Sequence, residues 1–159
     1  MKKLTTCLLV FSGISGLTTM SSCTDEPIKP KTKTELLTAS AWKIKEFTVN
    51  PGIDIGGVVI TDFLTQLDPC DIDDLNIYKA DGNGIIDEGP TKCNPSDPQT
   101  TTFKWVFNPD ETKITEDNTD TYDIIQLDET TFKTTIIADG SEIGGIAGLK
   151  YKLSVTYKH

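Results

Sequence analysis

The chain has 159 residues, with 24 acidic side chains against 15 basic ones and a net charge of −9. All of the basic residues are lysine, so the clustered Lys and Arg that a phosphate backbone needs are missing and nucleic-acid binding is excluded. The same charge repels anionic lipid headgroups, and the single histidine, His159, is the last residue. A chain terminus is a poor frame for Ser-His-Asp or Cys-His catalysis, so the expectation is a protein that is not an enzyme.

Lys2-Lys3 open the chain, Leu4 to Leu17 is mostly apolar, and Met20-Ser21-Ser22-Cys23 leads abruptly into Thr24-Asp25-Glu26-Pro27. The apolar stretch is too short and too broken by Ser and Gly to span a bilayer as a helix. This arrangement resembles a bacterial lipoprotein signal, which implies removal of residues 1–22, acyl chains on Cys23 and a membrane partner reached through that lipid. The expected location is the outer membrane, on the periplasmic or the cell-surface side. The acidic residues just after Cys23 resemble signals for the surface.

Residues 23–33 are polar, with two prolines and three lysines, and read as a flexible tether. A short helix is expected over 34–39, placing Leu36 and Leu37 on the edge of a domain covering 34–159. From Trp42 the pattern becomes β. Ile44 and then Phe47 and Val49 fall on different parities, which predicts a bulge near Lys45-Glu46, and Pro51-Gly52 is expected to end the strand. Phe63, Leu64 and Leu67 sit at helical spacing, so a helix is expected over 60–67, lidding one end of the fold.

Further strands are expected at Leu75–Lys79 and Gly84–Asp87, joined by Asp81-Gly82-Asn83, a strong hairpin signal. Thr100–Asn108, Lys113–Glu116, Thr121–Leu127, Thr131–Ile137 and Leu149–Lys158 follow. No long helical pattern separates them, so a parallel βαβ fold is not expected. Eight short antiparallel strands with one apolar face fit an all-β up-and-down barrel or a sandwich, and sequential hairpins with short turns favour the eight-stranded barrel.

Cys7 leaves with the signal and Cys23 takes the lipid, so Cys70 and Cys93 remain as an even pair in an exported chain. A disulfide is the natural reading. The rival is two free thiols or half of a metal site, although no histidine or further cysteine is available to complete a zinc shell, and neither metal nor cofactor is expected. Lys79 to Glu88 carries Asp81, Asn83 and Gly84 at calcium-loop spacing, but Lys79 and Pro90 occupy the first and last ligand positions, so it reads as a turn. The acidic groups at Asp68, Asp71, Asp73 and Asp74, and from Asp110 to Asp120, could in principle work as paired carboxylates, yet solubility explains them in exposed turns.

The aromatic residues either fill the interior or line a small-ligand cavity. For a ligand the interior candidates are Trp42, Tyr78, Phe103, Trp105, Phe107, Tyr122 and Tyr151.

Asp87-Glu88-Gly89-Pro90-Thr91-Lys92-Cys93-Asn94-Pro95-Ser96-Asp97-Pro98-Gln99, followed by Phe103-Lys104-Trp105-Val106-Phe107-Asn108, resembles the lipocalin-like domain of lipoproteins from Bacteroidetes-type bacteria. Leu36-Leu37 with Trp42-Lys43, Cys70 with Asp73-Asp74-Leu75, and Val155-Thr156-Tyr157-Lys158 extend the resemblance over 34–159. It implies a lipocalin-like barrel, a Cys70–Cys93 bridge pinning the first hairpin, and a small apolar or amphipathic ligand as partner. The alternative is an accessory lipoprotein whose filled barrel contacts another envelope protein.

Overall fold

A computed structural model of the chain describes residues 29–159; the signal expected at 1–22, the lipidation expected at Cys23 and most of the expected tether lie outside the described residues. Thr32 caps a short helix α1 (Lys33–Leu37) through a capping box with Glu35, which satisfies the first free amides of the helix. Trp42 then locks α1 to the sheet. Its indole N–H donates to Leu37 O at 2.7 Å, and both side chains are fully buried.

Nine antiparallel strands follow among the described residues: β1 (Lys43–Ile55), β2 (Val58–Asp62), β3 (Leu75–Tyr78), β4 (Asn83–Asp87), β5 (Thr100–Phe107), β6 (Lys113–Glu116), β7 (Asp120–Leu127), β8 (Thr131–Asp139) and β9 (Lys150–Lys158). They form one sheet in the order β2-β1-β9-β8-β7-β6-β5-β4-β3. The all-β expectation holds, and so does the bulge, since the β1–β9 register shifts between Ile44 and Glu46.

The eight-stranded barrel does not hold. The sheet has nine strands and is not closed. Its far strand β3 meets the start of β1 only at Trp42 and Asn76, which exchange two backbone hydrogen bonds of 2.8 Å. One bridge of this kind is not a ladder.

The ninth strand, β2, takes in residues 60–62, the first part of the segment expected to be helical. Ile55 and Val58 flank Gly56-Gly57, whose φ values of 65° and 89° suit the tight hairpin turn that glycine permits. The Gly57 N–H donates to Asp54 Oδ1 at 2.7 Å and fixes this turn. Helical character is confined to a 3-10 turn at Phe63–Gln66, after β2.

Nor do Pro51 and Gly52 end β1. Its ladder with β9 stops at Asn50↔Lys152, and the main ladder with β2 begins at Ile53↔Ile60. Proline lacks an N–H, and it sits where the strand changes partner and no ladder needs one.

The core gathers Leu37, Trp42, Tyr78, Phe103, Trp105, Ile114 and Phe132. A smaller cluster of Val49, Ile53 and Tyr151 lies under the β1–β2 hairpin, where Tyr151 Oη accepts from the Ile146 N–H at 3.0 Å. There the Gly-rich stretch from Asp139 to Gly148 folds over that end of the sheet. Cys70, on the short helix α2 (Pro69–Ile72), is bonded to Cys93 with a Cα separation of 5.2 Å. The bond closes a loop holding β3 and β4, worth about 3 kcal/mol on the chain-entropy account.

Gly84 on β4 faces Phe103 on β5, and the Phe103 ring lies across the place where a side chain would stand. A Cβ there would come within 2.1 to 2.4 Å of three ring atoms. Gly84→Ala is therefore expected to destabilise the fold by about 1–3 kcal/mol through overpacking, read as a lower urea midpoint at unchanged slope. An unchanged midpoint would mean that the ring does not occupy that space.

Candidate functional site

The inner face of the curled sheet is not completely filled. A partly open cavity of about 220 Å³ remains between β1, β3 and β6–β9. Strand alternation builds its wall: Ile114 and Glu116 come from β6, Tyr122 from β7, Phe132 and Thr134 from β8, and Leu153, Val155 and Tyr157 from β9. Phe47 of β1, Tyr78 of β3, and Thr135 and Ile136 of β8 complete the wall.

Tyr78 is the link between core and cavity. It is 5% exposed and meets Phe103, Trp105 and Phe132 edge-to-face at centroid distances of 5.4, 5.8 and 5.9 Å. Its hydroxyl donates to Glu116 Oε1 at 2.6 Å, a short bond of the kind a carboxylate acceptor gives. Burial raises the Glu116 pKa above its ordinary value; the Tyr78 bond works against that, and Asp117 and Asp120 raise it further. The phenol of Tyr78 is itself raised well above the usual range, first by burial and then by the Glu116 charge. Tyr122 is pushed up to about 12 by burial, Glu116 and Asp120, and Tyr157 is raised by burial, Glu116 and Tyr122. All three phenols therefore keep their protons at neutral pH and offer donors and apolar rings around one carboxylate.

Of the seven interior residues named from the sequence, Tyr78 and Tyr122 line the cavity. Trp42, Phe103 and Trp105 are packed into the main core, Phe107 packs against it, and Tyr151 belongs to the smaller cluster. Trp105 is held there by its indole N–H, which reaches Asn83 O at 3.0 Å and Lys79 O at 3.1 Å.

Glu116 was assigned by sequence to the exposed acidic groups, and the structure places it inside. Its signal was available in Lys113-Ile114-Thr115-Glu116, where Glu116 shares the parity of the buried Ile114. Thr134 and Thr135 are buried polar residues that sequence reasoning also passed over.

The other motifs are spent on structure. Asp81 Oδ1 accepts from the Asn83 N–H at 2.9 Å, tying the β3–β4 turn, as expected of a turn. The one three-residue grouping of metal-ligating type among the described residues is Cys70, Asp71 and Cys93, and its two sulfurs are joined to each other. His159 packs tilted against Trp42 at a centroid distance of 4.0 Å and approaches Ser40 Oγ at 2.6 Å, outside the cavity. A broader, shallower depression of about 490 Å³ between β1 and β2 is lined by charges of both signs, including Lys45, Glu46 and Asp62, and is the gap left where the two strands part. No protein-family model matches this chain, and no curated protein matches it.

The acidic segment around α2 crowds carboxylates together. Asp73 and Asp74 each bury an Oδ1 with no hydrogen-bond partner among the described residues. The Asp74 pKa is pushed up to about 6 from 3.8 by burial, then by Glu88, Asp71, Asp73 and Asp87. The folded state thus favours the protonated acid. The stability this group contributes is complete below its unfolded value and is lost as pH rises through about 6. Asp74→Asn is expected to be more stable than the parent at pH 7 and no more stable at pH 4, measured by urea midpoints at both. An equal difference at the two pH values would contradict this.

Proposed function

We propose that this protein is a non-enzymatic, lipid-anchored module of the bacterial cell envelope that takes a small amphipathic ligand into its curled sheet. The observation that carries the reading is the 220 Å³ cavity with one inward carboxylate among aromatic walls. Concave, mostly apolar sites with a few placed polar groups are the usual form of small-molecule sites. The Met20–Cys23 segment and the resemblance of 34–159 to lipocalin-like lipoproteins support the anchor and the class.

The entry of the chain agrees with an anchor at its N-terminal side. Lys31 pairs with Glu129 at 2.8 Å in the β7–β8 turn, and Lys33 reaches Glu111 O in the β5–β6 turn. Both turns lie at the end where β1 begins. A lipid on Cys23 would hold that end towards the membrane and leave the β1–β2 hairpin facing away.

The accessory reading draws on a different observation. Ile55, Val58 and Val59 are exposed at the hairpin tip, beside the open edge of β2. That reading called for a filled interior as well, and the cavity favours the first.

Native mass spectrometry of protein extracted from the envelope of its host reads both halves of the proposal. The expected spectrum is a chain beginning at Cys23 with added acyl mass, carrying a further small molecule that is absent when Thr134→Trp fills the cavity. An unacylated chain in every preparation would overturn the anchor, and an always-empty chain would overturn the ligand.

A further inference from the structure

We infer that the ligand is a small organic cation, an ammonium group on an apolar body, whose charge meets Glu116 Oε2 while its body lies among Tyr78, Tyr122, Phe132 and Tyr157. This deepens the ligand-binding reading and rests on it. Four observations converge on it.

The first is an open valence. Tyr78 occupies Oε1 of Glu116, and Oε2 has no hydrogen-bond partner among the described residues. A half-buried carboxylate of this kind wants a counter-charge, and none is supplied among the described residues. The groups that bear on Glu116 are Tyr78, Asp117 and Asp120, with no lysine among them. Lys31, Lys113 and Lys150 are paired elsewhere, with Glu129, Asp123 and Asp139.

The second is the wall. Phe132 stacks with Tyr157 at 5.7 Å and meets Tyr78 edge-on, so a connected set of rings borders the carboxylate. Aromatic rings attract cations through their electron-rich faces, and a carboxylate with aromatic neighbours is the usual way ammonium groups are held.

The third is the field. With a net charge of −9 and Asp117 and Asp120 beside Glu116, the site attracts cations and repels anions such as fatty carboxylates.

The fourth is size. An apolar cavity of about 150 Å³ accepts benzene, so by proportion this one accepts roughly nine non-hydrogen atoms. That is smaller than the cavities of roughly 300–1,000 Å³ that serve drug-sized ligands, and too small for a long acyl chain.

Phenethylammonium and propylbenzene separate charge from shape, because they differ only in exchanging the ammonium for a methyl group. Binding of each to the purified protein would be followed by shifts of the amide resonances of Thr134, Val155 and Tyr157, with phenylacetate as the anionic control. At pH 7 the cation is expected to bind at least about tenfold tighter than propylbenzene, a gap of the size one partly desolvated ion pair gives. Phenylacetate is expected to bind weakest. Glu116→Gln is expected to erase the gap between cation and hydrocarbon.

The parent protein gives the same answer if that variant fails to fold. Near pH 4, below the raised titration of Glu116, the preference is expected to collapse. Tyr78, Tyr122 and Tyr157, which also face the site, stay neutral across this range. Asp117 and Asp120 stand outside the ring wall, so a preference that persisted in Glu116→Gln or near pH 4 would overturn the assignment to Glu116. Equal or tighter binding of propylbenzene at pH 7 would overturn the cation while leaving a ligand cavity. Binding of no probe would overturn the cavity reading itself.

Discussion

The hydrogen bond from Tyr78 to Glu116 is the constraint on which the interior depends. Tyr78 brings a ring that three aromatic neighbours hold edge-on, and with it a largely buried hydroxyl. A buried donor left without an acceptor costs about 1–3 kcal/mol, so some group had to meet it. Glu116 does, at 2.6 Å, and this draws a carboxylate to the inner face of a sheet that is mostly apolar there. A carboxylate kept inside needs space and polarity around its second oxygen. The cavity, with Thr134 and the phenols of Tyr122 and Tyr157 in its wall, supplies both.

The sheet makes that space by curling without closing. β1 is 13 residues long and serves two partners in succession, β9 along its first part and β2 along its last. Its bulge between Ile44 and Glu46, and a second irregularity between Ile124 and Gln126 on β7, bend the sheet at two places. β3 and the start of β1 then meet at the single Trp42–Asn76 bridge, anchored by the α1 helix through Leu37. Core residues crowd the region near that bridge, while Leu153, Val155 and Tyr157 of β9 keep some exposure to the cavity.

Much of this was legible because it is local. Alternation in Phe103-Lys104-Trp105 and in Leu153-Ser154-Val155 set the inward faces, Asp81-Gly82-Asn83 set a hairpin, and the even pair Cys70 and Cys93 set the bridge. The misreadings came where two local signals competed. The helical spacing of Phe63, Leu64 and Leu67 yields only the 3-10 turn at Phe63–Gln66, while Gly56-Gly57 between β-branched residues is a turn signal and pairing with the end of β1 makes Val58–Asp62 a strand. Pro51 looked like a terminator because only one ladder was considered.

The site was the least legible part. Which rings fill and which line depends on how far each strand slides past its neighbour, so Trp42, Phe103 and Trp105 read the same as Tyr78 and Tyr122 in sequence. Glu116 carried its own inward parity, but an acidic residue beside Asp117 and Asp120 reads as surface until a partner such as Tyr78, 38 positions away, is seen beside it. The most direct measurement is a carbon-13 NMR titration of the Glu116 side-chain carboxyl in the parent protein and in Tyr78→Phe. The expected result is a pKa above 4.5 in the parent and higher still in the variant, where burial remains and the donated hydrogen bond is gone. A parent value at or below 4.5 that did not respond to Tyr78→Phe would place Glu116 in open water and contradict the interior described for it.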